Sequence, residues 1–143
     1  SLAVVDVAGG RVVQRLATGR YPYGVAVAPS GRVFVSAWGA NTVHAFDPAP
    51  NAPPNAPPNA PPNAPPGGGA GAAPNAPALA RAADAPAARH PSALLLDAAA
   101  GRLYVASAST DRVVALDART LAPADTLASA GAPAGPREGA TPN

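Results

Sequence analysis

One sequence pattern occurs twice in this chain, and about forty residues of very different composition separate the two copies. The copies span residues 20–47 and 89–117. Aligning them matches a proline, a glycine and a closing aspartate, namely Pro22 with Pro91, Gly31 with Gly101 and Asp47 with Asp117. A third, shorter match ends at Asp6, because Leu2–Asp6 stands forty-one residues before the segment that closes the first copy. The chain therefore repeats one structural unit with a period of about 41 residues.

Each copy contains three short segments with the composition of β-strands. In the first copy they cover residues 23–28, 32–37 and 42–47 and are rich in valine and aromatic residues. The segments 29–31 and 39–41 that separate them contain proline, glycine and asparagine, which favour chain reversal. Further strand-like runs follow Asp6 and Asp117, at residues 11–17 and 121–127. The pattern predicts three or four antiparallel strands in each unit.

The first strand of the first copy has a bulky side and a small side. Tyr23, Val25 and Val27 point one way, since side chains alternate along a strand. The alternate positions are small: Gly24, Ala26 and Ala28. Two apolar faces suit a sheet that lies between two neighbouring sheets, as in the blades of a β-propeller. We therefore expect an all-β fold, a partial β-propeller of about two antiparallel blades interrupted by a disordered loop rich in proline, alanine, asparagine and glycine.

The interrupting segment, residues 48–88, contains four Asn-Ala-Pro-Pro units and a glycine-rich run. Proline removes backbone donors and favours extended, solvated conformations, so we expect this insert not to pack. Residues 79–88 are the one part of it with an alternative, a short helix before Pro86. The predicted organisation is a first blade region at 1–47, the insert at 48–88 as an enlarged loop between blades, a second blade region at 89–128, and a Pro/Gly loop at 129–143 that leads to a missing blade.

Composition excludes several classes of protein. All ten basic residues are arginines scattered singly along the chain, so no nucleic-acid footprint is expected. The absence of cysteine excludes disulfides and thiolate metal sites. No segment has the roughly eighteen continuous apolar residues of a membrane span. With no initiating methionine and Ser1 already inside a strand-like run, we expect a cut or processed N-terminus.

The first copy resembles the YVTN family of bacterial and archaeal β-propeller repeats, because it reads Pro-x-x-Val-Ala-Val-x-Pro-x-Gly-x-x-Phe-Val-Ser from Pro22 and then Asn-x-Val-x-x-Phe-Asp from Asn41. The family's Tyr-Val-Thr-Asn is Phe-Val-Ser-Ala at 34–37 and Tyr-Val-Ala-Ser at 104–107. Residues 1–47 and 89–143 also resemble the propeller that precedes an alkaline-phosphatase-like phosphoesterase domain in some exported bacterial proteins. The resemblance implies an extracytoplasmic location: periplasmic, secreted or on the cell surface.

Three residues are candidates for ligand binding. Trp38 follows a strand and is placed to line a loop surface, and Arg20 and Arg89 hold matching positions before the first strand of each copy. Each has a competing structural interpretation: packing between blades for the tryptophan and surface ion pairs for the arginines. Asp6, Asp47 and Asp117 recur at one position and are interpreted as closing a turn, with the prolines and glycines of the alignment as further structural repeat positions. The two histidines, His44 and His90, lack a third ligand, so no metal site and no cofactor are predicted.

No catalytic motif is assembled anywhere in the chain. We expect a non-catalytic binding or scaffold segment of a longer exported protein, whose partners are the remaining blades and an unidentified protein or small-molecule ligand. One alternative is a segment of a propeller hydrolase, either the phosphoesterase fusion or a lactonase-like enzyme, with catalytic residues elsewhere. A further alternative is a surface-layer or adhesion protein in which the proline-rich insert acts as a spacer.

Overall fold

The computed structural model describes residues 1–49 and 78–128, which contain β-strands joined by turns. Ten strands follow one another along the chain: β1 (Leu2–Asp6), β2 (Arg11–Leu16), β3 (Pro22–Val27), β4 (Val33–Ala37), β5 (Thr42–Pro48), β6 (Leu79–Pro86), β7 (Pro91–Asp97), β8 (Arg102–Ser107), β9 (Arg112–Asp117) and β10 (Pro123–Ala128). The strands predicted from both copies are therefore present, with ends that shift by one or two residues. The expected conformations of the proline-rich run and of residues 129–143 lie outside the described residues.

The strands form two sheets of four and one separate hairpin. The first sheet has the order β3-β4-β5-β6, the second has the order β7-β8-β9-β10, and β1 pairs with β2. Every pairing is antiparallel between strands that are consecutive in the chain. The all-β prediction with blade-like four-stranded antiparallel sheets is thus confirmed. Gly31 and Gly101 occupy equivalent turns with φ of 86° and 64°, a region that disfavours side chains.

Strand β6 corrects the sequence prediction for residues 79–88. These residues were expected to remain unpacked or to form a short helix, but Leu79–Pro86 is the fourth strand of the first sheet. Its register places Ala85 opposite Val43 and Ala83 opposite Ala45. The pairing satisfies the backbone of β5, which would otherwise be an open sheet edge, and small alanine side chains fit the close approach. The enlarged connection therefore lies inside the first sheet, between β5 and β6, and not between two sheets.

The first sheet packs on the second through a shared apolar core. Phe34 and Ala45 of the first sheet belong to one core cluster with Leu103 and Leu116 of the second, and all four are completely buried. Half-buried Leu94 and Leu96 of β7 pack against the same cluster. The small side of β3 permits this approach, because a Cβ built on Gly24 would lie 2.5 Å from the carbonyl oxygen of Ser92.

The hairpin β1–β2 covers part of the opposite face of the first sheet. Leu2 and Leu16 of the hairpin pack against a second buried cluster: Val33, Val35 and Phe46. The amide of Gln14, on β2, bonds both backbone groups of Leu79: its Nε2 donates to the carbonyl at 2.8 Å, and its Oε1 accepts from the N–H at 2.9 Å. The first sheet consequently has packed neighbours on both faces, but the bulky side of β3, which the sequence pattern predicted to lie against a neighbouring sheet, is exposed at Tyr23, Val25 and Val27.

Candidate functional site

The three predicted binding residues lie at the same end of the sheets. Trp38 directly follows β4, while Arg20 and Arg89 come just before β3 and β7. Antiparallel pairing brings the end of β4 beside the start of β3, and the Trp38 N–H donates to the Tyr21 carbonyl at 2.9 Å. We call this surface the aromatic end and define it by Arg20, Tyr21, Trp38, Arg89 and His90.

Trp38 is held between two other rings. The His90 imidazole stacks on the indole with a centroid distance of 4.0 Å, and the Tyr21 ring meets it edge-on at 6.3 Å. Stacked and edge-on pairs of this kind stabilise packing. Because His90 belongs to the connection leading into β7, the indole joins the first sheet to the second. The structure thus places Trp38 in contact between sheets, where one of its faces is already occupied.

The two arginines have different surroundings. The Arg20 guanidinium lies 5.9 Å from the centre of the Tyr21 ring, a cation–π contact, and the Tyr21 side chain is 65% exposed. Arg89 contributes its backbone carbonyl, which accepts a hydrogen bond from the Ser107 hydroxyl. The structure therefore groups Arg20 with Trp38 through the tyrosine, and within residues 1–49 and 78–128 it shows no side-chain contact between Arg89 and that group.

Two residues of the aromatic end adopt left-handed backbone conformations that the sequence did not indicate. Tyr21 has φ of 50° and His90 has φ of 54°. They are equivalent in the two copies, and in each copy the carbonyl accepts a backbone N–H across the strand pair, from Trp38 at 2.9 Å and from Ala108 at 2.9 Å. The conformation is uncommon for residues with side chains. Its repetition shows that the fold imposes it at the entrance to both sheets.

A polar network around one buried histidine lies near this end. The His44 side chain on β5 is 4% exposed, and its Nδ1 lies 2.8 Å from Oδ1 of Asp84 on β6. Arg81 donates from Nε to the same carboxylate oxygen at 2.8 Å. On the other side of the ring, the Gly19 N–H donates to Nε2 at 2.8 Å. Nε2 therefore acts as the acceptor for the Gly19 amide, while Nδ1 lies 2.8 Å from both Oδ1 of Asp84 and Nη2 of Arg81.

The network superficially resembles a nucleophile–histidine–carboxylate triad, because the Thr42 hydroxyl lies 3.2 Å from His44 Nε2. A general base needs a free lone pair to take the hydroxyl proton. The one lone pair of Nε2 already accepts the Gly19 amide, at the shorter distance of 2.8 Å. The arrangement therefore fixes the backbone at Gly19 and does not activate Thr42.

The Asp84 carboxyl is held ionised by its partners. Burial opposes ionisation, but hydrogen bonds from Arg81 and His44, together with the arginine's charge, outweigh it, so the pKa of Asp84 lies below its ordinary value of 3.8. Sequence reasoning missed this group because it did not place residues 79–86 in a strand. The signal that would have found it is the register of β5 and β6, which sets Asp84 directly opposite His44.

The repeated aspartates bind the backbone and neighbouring arginines. Asp6 accepts the Gly9 N–H at 3.0 Å, and Asp117 accepts the Thr120 N–H at 2.8 Å. The hydrogen bonds to Asp117, of which the backbone bond from Thr120 is the strongest cause, lower the pKa of this carboxyl. Asp47 is different, because β5 continues past it to Pro48 and its carboxylate pairs with Arg32 at 3.3 Å. Pro22 and Pro91, the other matched positions, begin β3 and β7.

A cleft of about 520 Å³ lies at the opposite end of the sheets from the aromatic end. Its lining comes from the turns after β3, β7 and β9 and includes Phe34 and Leu96 with the polar residues Ser30, Arg32 and Arg119. The Arg32 guanidinium also lies 5.7 Å from the centre of the Phe34 ring. Arg32 Nε lies 3.3 Å from Oδ1 of Asp47, but among the described residues this buried atom has no hydrogen-bond partner.

Within residues 1–49 and 78–128, no group of three or more histidine, cysteine, aspartate or glutamate side chains is placed to hold a metal ion. The same residues include no helix that is long and apolar enough to cross a membrane. No protein-family model matches the chain, and no curated protein matches it. The geometry of the described residues therefore carries the functional interpretation.

Proposed function

We propose that this chain is a non-catalytic scaffold and binding segment of an exported bacterial β-propeller protein of the YVTN type. The observation that carries the proposal is the packing of the first sheet, which contacts the second sheet through one face and the hairpin β1–β2 through part of the other. Four-stranded antiparallel sheets that pack face to face in chain order are the building units of propellers. The forty-one-residue offset between β1 and β5 supports the same architecture.

The absence of activated nucleophiles in the described sites supports a non-catalytic role. His44, the buried histidine, has partners at both ring nitrogens: Gly19 at Nε2, and Asp84 and Arg81 at Nδ1. The Asp117 carboxylate accepts hydrogen bonds from the backbone N–H groups of the turn residues Arg119 and Thr120. Groups committed in this way stabilise the sheet and are not available for proton transfer.

The aromatic end is the binding surface of this proposal. The Tyr21 side chain is exposed, the Arg20 guanidinium lies over its ring, and the Trp38 ring meets it in an edge-to-face contact. An aromatic face next to a cation suits a ligand, protein or small molecule, with both an apolar and an anionic part. The ligand belongs to the extracytoplasmic environment in which we place the protein.

The test uses the longer protein of which we propose this chain to be a segment, called the parent protein, with and without residues 1–143. For a scaffold, we expect any phosphoesterase activity of the parent toward a soluble aryl phosphate to change less than about twofold on deletion. A loss of kcat in a deletion variant whose remaining domain is folded would favour the hydrolase alternative, in which this segment shapes the substrate entrance. We further expect the parent to contain at least four such units, the minimum for a closed ring. Fewer units, or a protein confined to the cytosol, would contradict the proposal.

A further inference from the structure

The cleft at the opposite end from the aromatic end lies between the two four-stranded sheets. One wall comes from the turn after β3 and the start of β4, and the other comes from the turns after β7 and β9. Its apolar lining includes Ala28, Leu96, Ala98 and Ala118. Its volume of about 520 Å³ is within the usual range of sites that hold small organic molecules, roughly 300–1,000 Å³.

Arg32 brings a largely buried guanidinium to this cleft. Its side chain is 15% exposed, and its buried Nε has no hydrogen-bond partner within residues 1–49 and 78–128. The Asp47 carboxylate lies nearby at 3.3 Å, but it does not accept a hydrogen bond from this nitrogen. A guanidinium carries its N–H donors in a planar fork, and a buried donor without an acceptor destabilises the folded protein. An anion in the cleft would therefore stabilise this cation.

The equivalent arginine of the second sheet shows which part of this arrangement belongs to the repeat. Arg102 also pairs with the aspartate that closes its copy, since its Nη1 lies 3.7 Å from Oδ2 of Asp117. The Arg102 side chain is 42% exposed, however, and it does not line the cleft. The ion pair is therefore common to both sheets, whereas the burial of an arginine beside a cleft is specific to the first sheet.

Two further hydrogen-bond donors line the cleft, one from each sheet. The Ser30 hydroxyl oxygen accepts the Arg32 backbone N–H at 3.5 Å, so the hydroxyl proton can be donated to another acceptor. Arg119 lies on the turn after β9, where it is exposed. The repeat does not require either residue, because the matching positions hold Ala100 and Ala49. Both donors are thus particular to this junction between the sheets.

Two carboxylates beside the arginines limit the charge that a ligand can carry. Asp47 pairs with Arg32, and Asp117 lines the cleft while accepting the backbone N–H groups of Arg119 and Thr120. These carboxylates would repel a phosphate group with two negative charges more strongly than a group with one. A single carboxylate also matches the planar fork of an arginine side chain. The charges of the cleft therefore favour a monocarboxylate.

We propose that this cleft binds a small organic acid, whose carboxylate pairs with Arg32 and Arg119 and whose apolar body packs on Leu96 and the neighbouring alanines. The ligand contacts both sheets, because Arg32 precedes β4 and Arg119 follows β9. The site is separate from the aromatic end and does not depend on the proposed function. It requires only that the two sheets pack together as described.

Titration of the 143-residue chain with hexanoate and with 3-phenylpropionate, followed by calorimetry and NMR, tests the site. We expect saturable 1:1 binding of at least one acid with a dissociation constant below ~1 mM, and at least ~10-fold weaker binding of its uncharged amide. Backbone NMR signals of Ser30 and Arg119 should shift more than those of Tyr21 and Trp38. Dissociation constants above ~1 mM for both acids, equal affinity for acetate, or shifts confined to the aromatic end would overturn the proposal.

Arginine variants separate the cleft from general effects of charge. Arg32→Gln and Arg119→Gln should each weaken binding of the acid at least ~10-fold, because each removes a charged donor from the carboxylate. Arg102→Gln is the matched control: it removes the equivalent ion pair outside the cleft and should change the affinity less than ~3-fold. If Arg32→Gln does not fold, the exposed Arg119 still provides the test. Equal affinities of the Arg119→Gln and Arg102→Gln variants would contradict the site.

Discussion

The two four-stranded sheets share one topology but differ in how many of their faces are covered. All five residues of β4 are buried, whereas in the equivalent strand β8 the buried Leu103 and Val105 alternate with half-buried neighbours. The first sheet lies between the hairpin β1–β2 and the second sheet. The second sheet has a packed neighbour on one face in the part of the chain that the structure describes. The burial of a unit is therefore set by its neighbours as much as by its own sequence.

The same contrast explains where polar groups are tolerated. Ser36 and His44 of the enclosed first sheet correspond to Ala106 and Val114 of the second. The Ser36 hydroxyl accepts the Gly24 N–H at 2.8 Å and donates to the Ser92 carbonyl at 2.7 Å, so it links the sheets. Buried polar groups are stable only with partners, and the first sheet supplies them from several strands and connections.

The largest expected change in the free energy of unfolding concerns Phe34 and Tyr104, which hold equivalent positions in the two sheets. Phe34 is completely buried between the sheets, while Tyr104 is half-buried on the far side of the second sheet. Phe34→Ala should lower the free energy of unfolding by about 3–5 kcal/mol because it leaves a cavity. Tyr104→Ala should cost about 1–2 kcal/mol. Urea denaturation followed by Trp38 fluorescence measures both, and equal losses would contradict the asymmetry of the two sheets.

The next effect concerns the close approach of β3 to β7. Gly24→Ala introduces a methyl group that meets the Ser92 carbonyl, so we expect a loss of roughly 1–3 kcal/mol in unfolding free energy. The equivalent residue of the second sheet is already alanine, at the exposed position Ala93. The reverse change Ala93→Gly is the matched control and should cost less than ~1 kcal/mol. A neutral Gly24→Ala would show that the sheets can separate without penalty.

His44→Val gives the first sheet the residue that the second sheet uses, Val114. The variant leaves the Gly19 N–H without its acceptor, and we expect a loss of about 1 kcal/mol. Amide exchange at Gly19 should accelerate more than exchange elsewhere in the sheet. Thr42→Val is the control, because the hydroxyl is the more distant partner of Nε2, and it should leave Gly19 exchange unchanged. Stability equal to wild type in the His44→Val variant would mean that the network is dispensable.

The smallest expected effect is a change in how the free energy of unfolding depends on pH under acidic conditions. The folded-state pKa of Asp84 lies below its ordinary value of 3.8, so its stabilising contribution is present above that pH and is lost as the pH falls through the folded-state pKa. The contribution should not exceed about 1 kcal/mol, because the side chain is 46% exposed. Asp84→Asn should flatten the decline in unfolding free energy below pH 4 relative to wild type. A decline as steep as in wild type would assign the acid sensitivity to other carboxyl groups.

Much of the sheet architecture could be predicted because turn residues bound the strands on both sides. Gly31 and Gly101 mark the turns before β4 and β8, and valine-rich runs lie between such turns. Strand β6 could not be predicted, since its alanine-rich sequence has no strand preference of its own and depends on pairing with β5. The contact of Asp84 with His44 depended on that pairing and was missed with it.

The aromatic end shows a second limit of sequence reasoning. The placement of Trp38 and Arg20 near one another follows from the strand ends that the sequence predicts. The stacking of His90 on Trp38 and the left-handed conformations of Tyr21 and His90 are consequences of how two sheets meet. Such contacts join residues that lie far apart in sequence and cannot be read from a pattern within one unit.

The connection between β5 and β6 leaves and re-enters the first sheet at neighbouring positions. The Ala49 N–H donates to the Ala78 carbonyl at 2.8 Å, so the ends of the connection are one strand spacing apart. Extending a loop whose ends are already fixed costs little additional entropy. We therefore expect that another polypeptide whose termini lie close together can replace the residues between Ala49 and Ala78 without changing the register of the sheet.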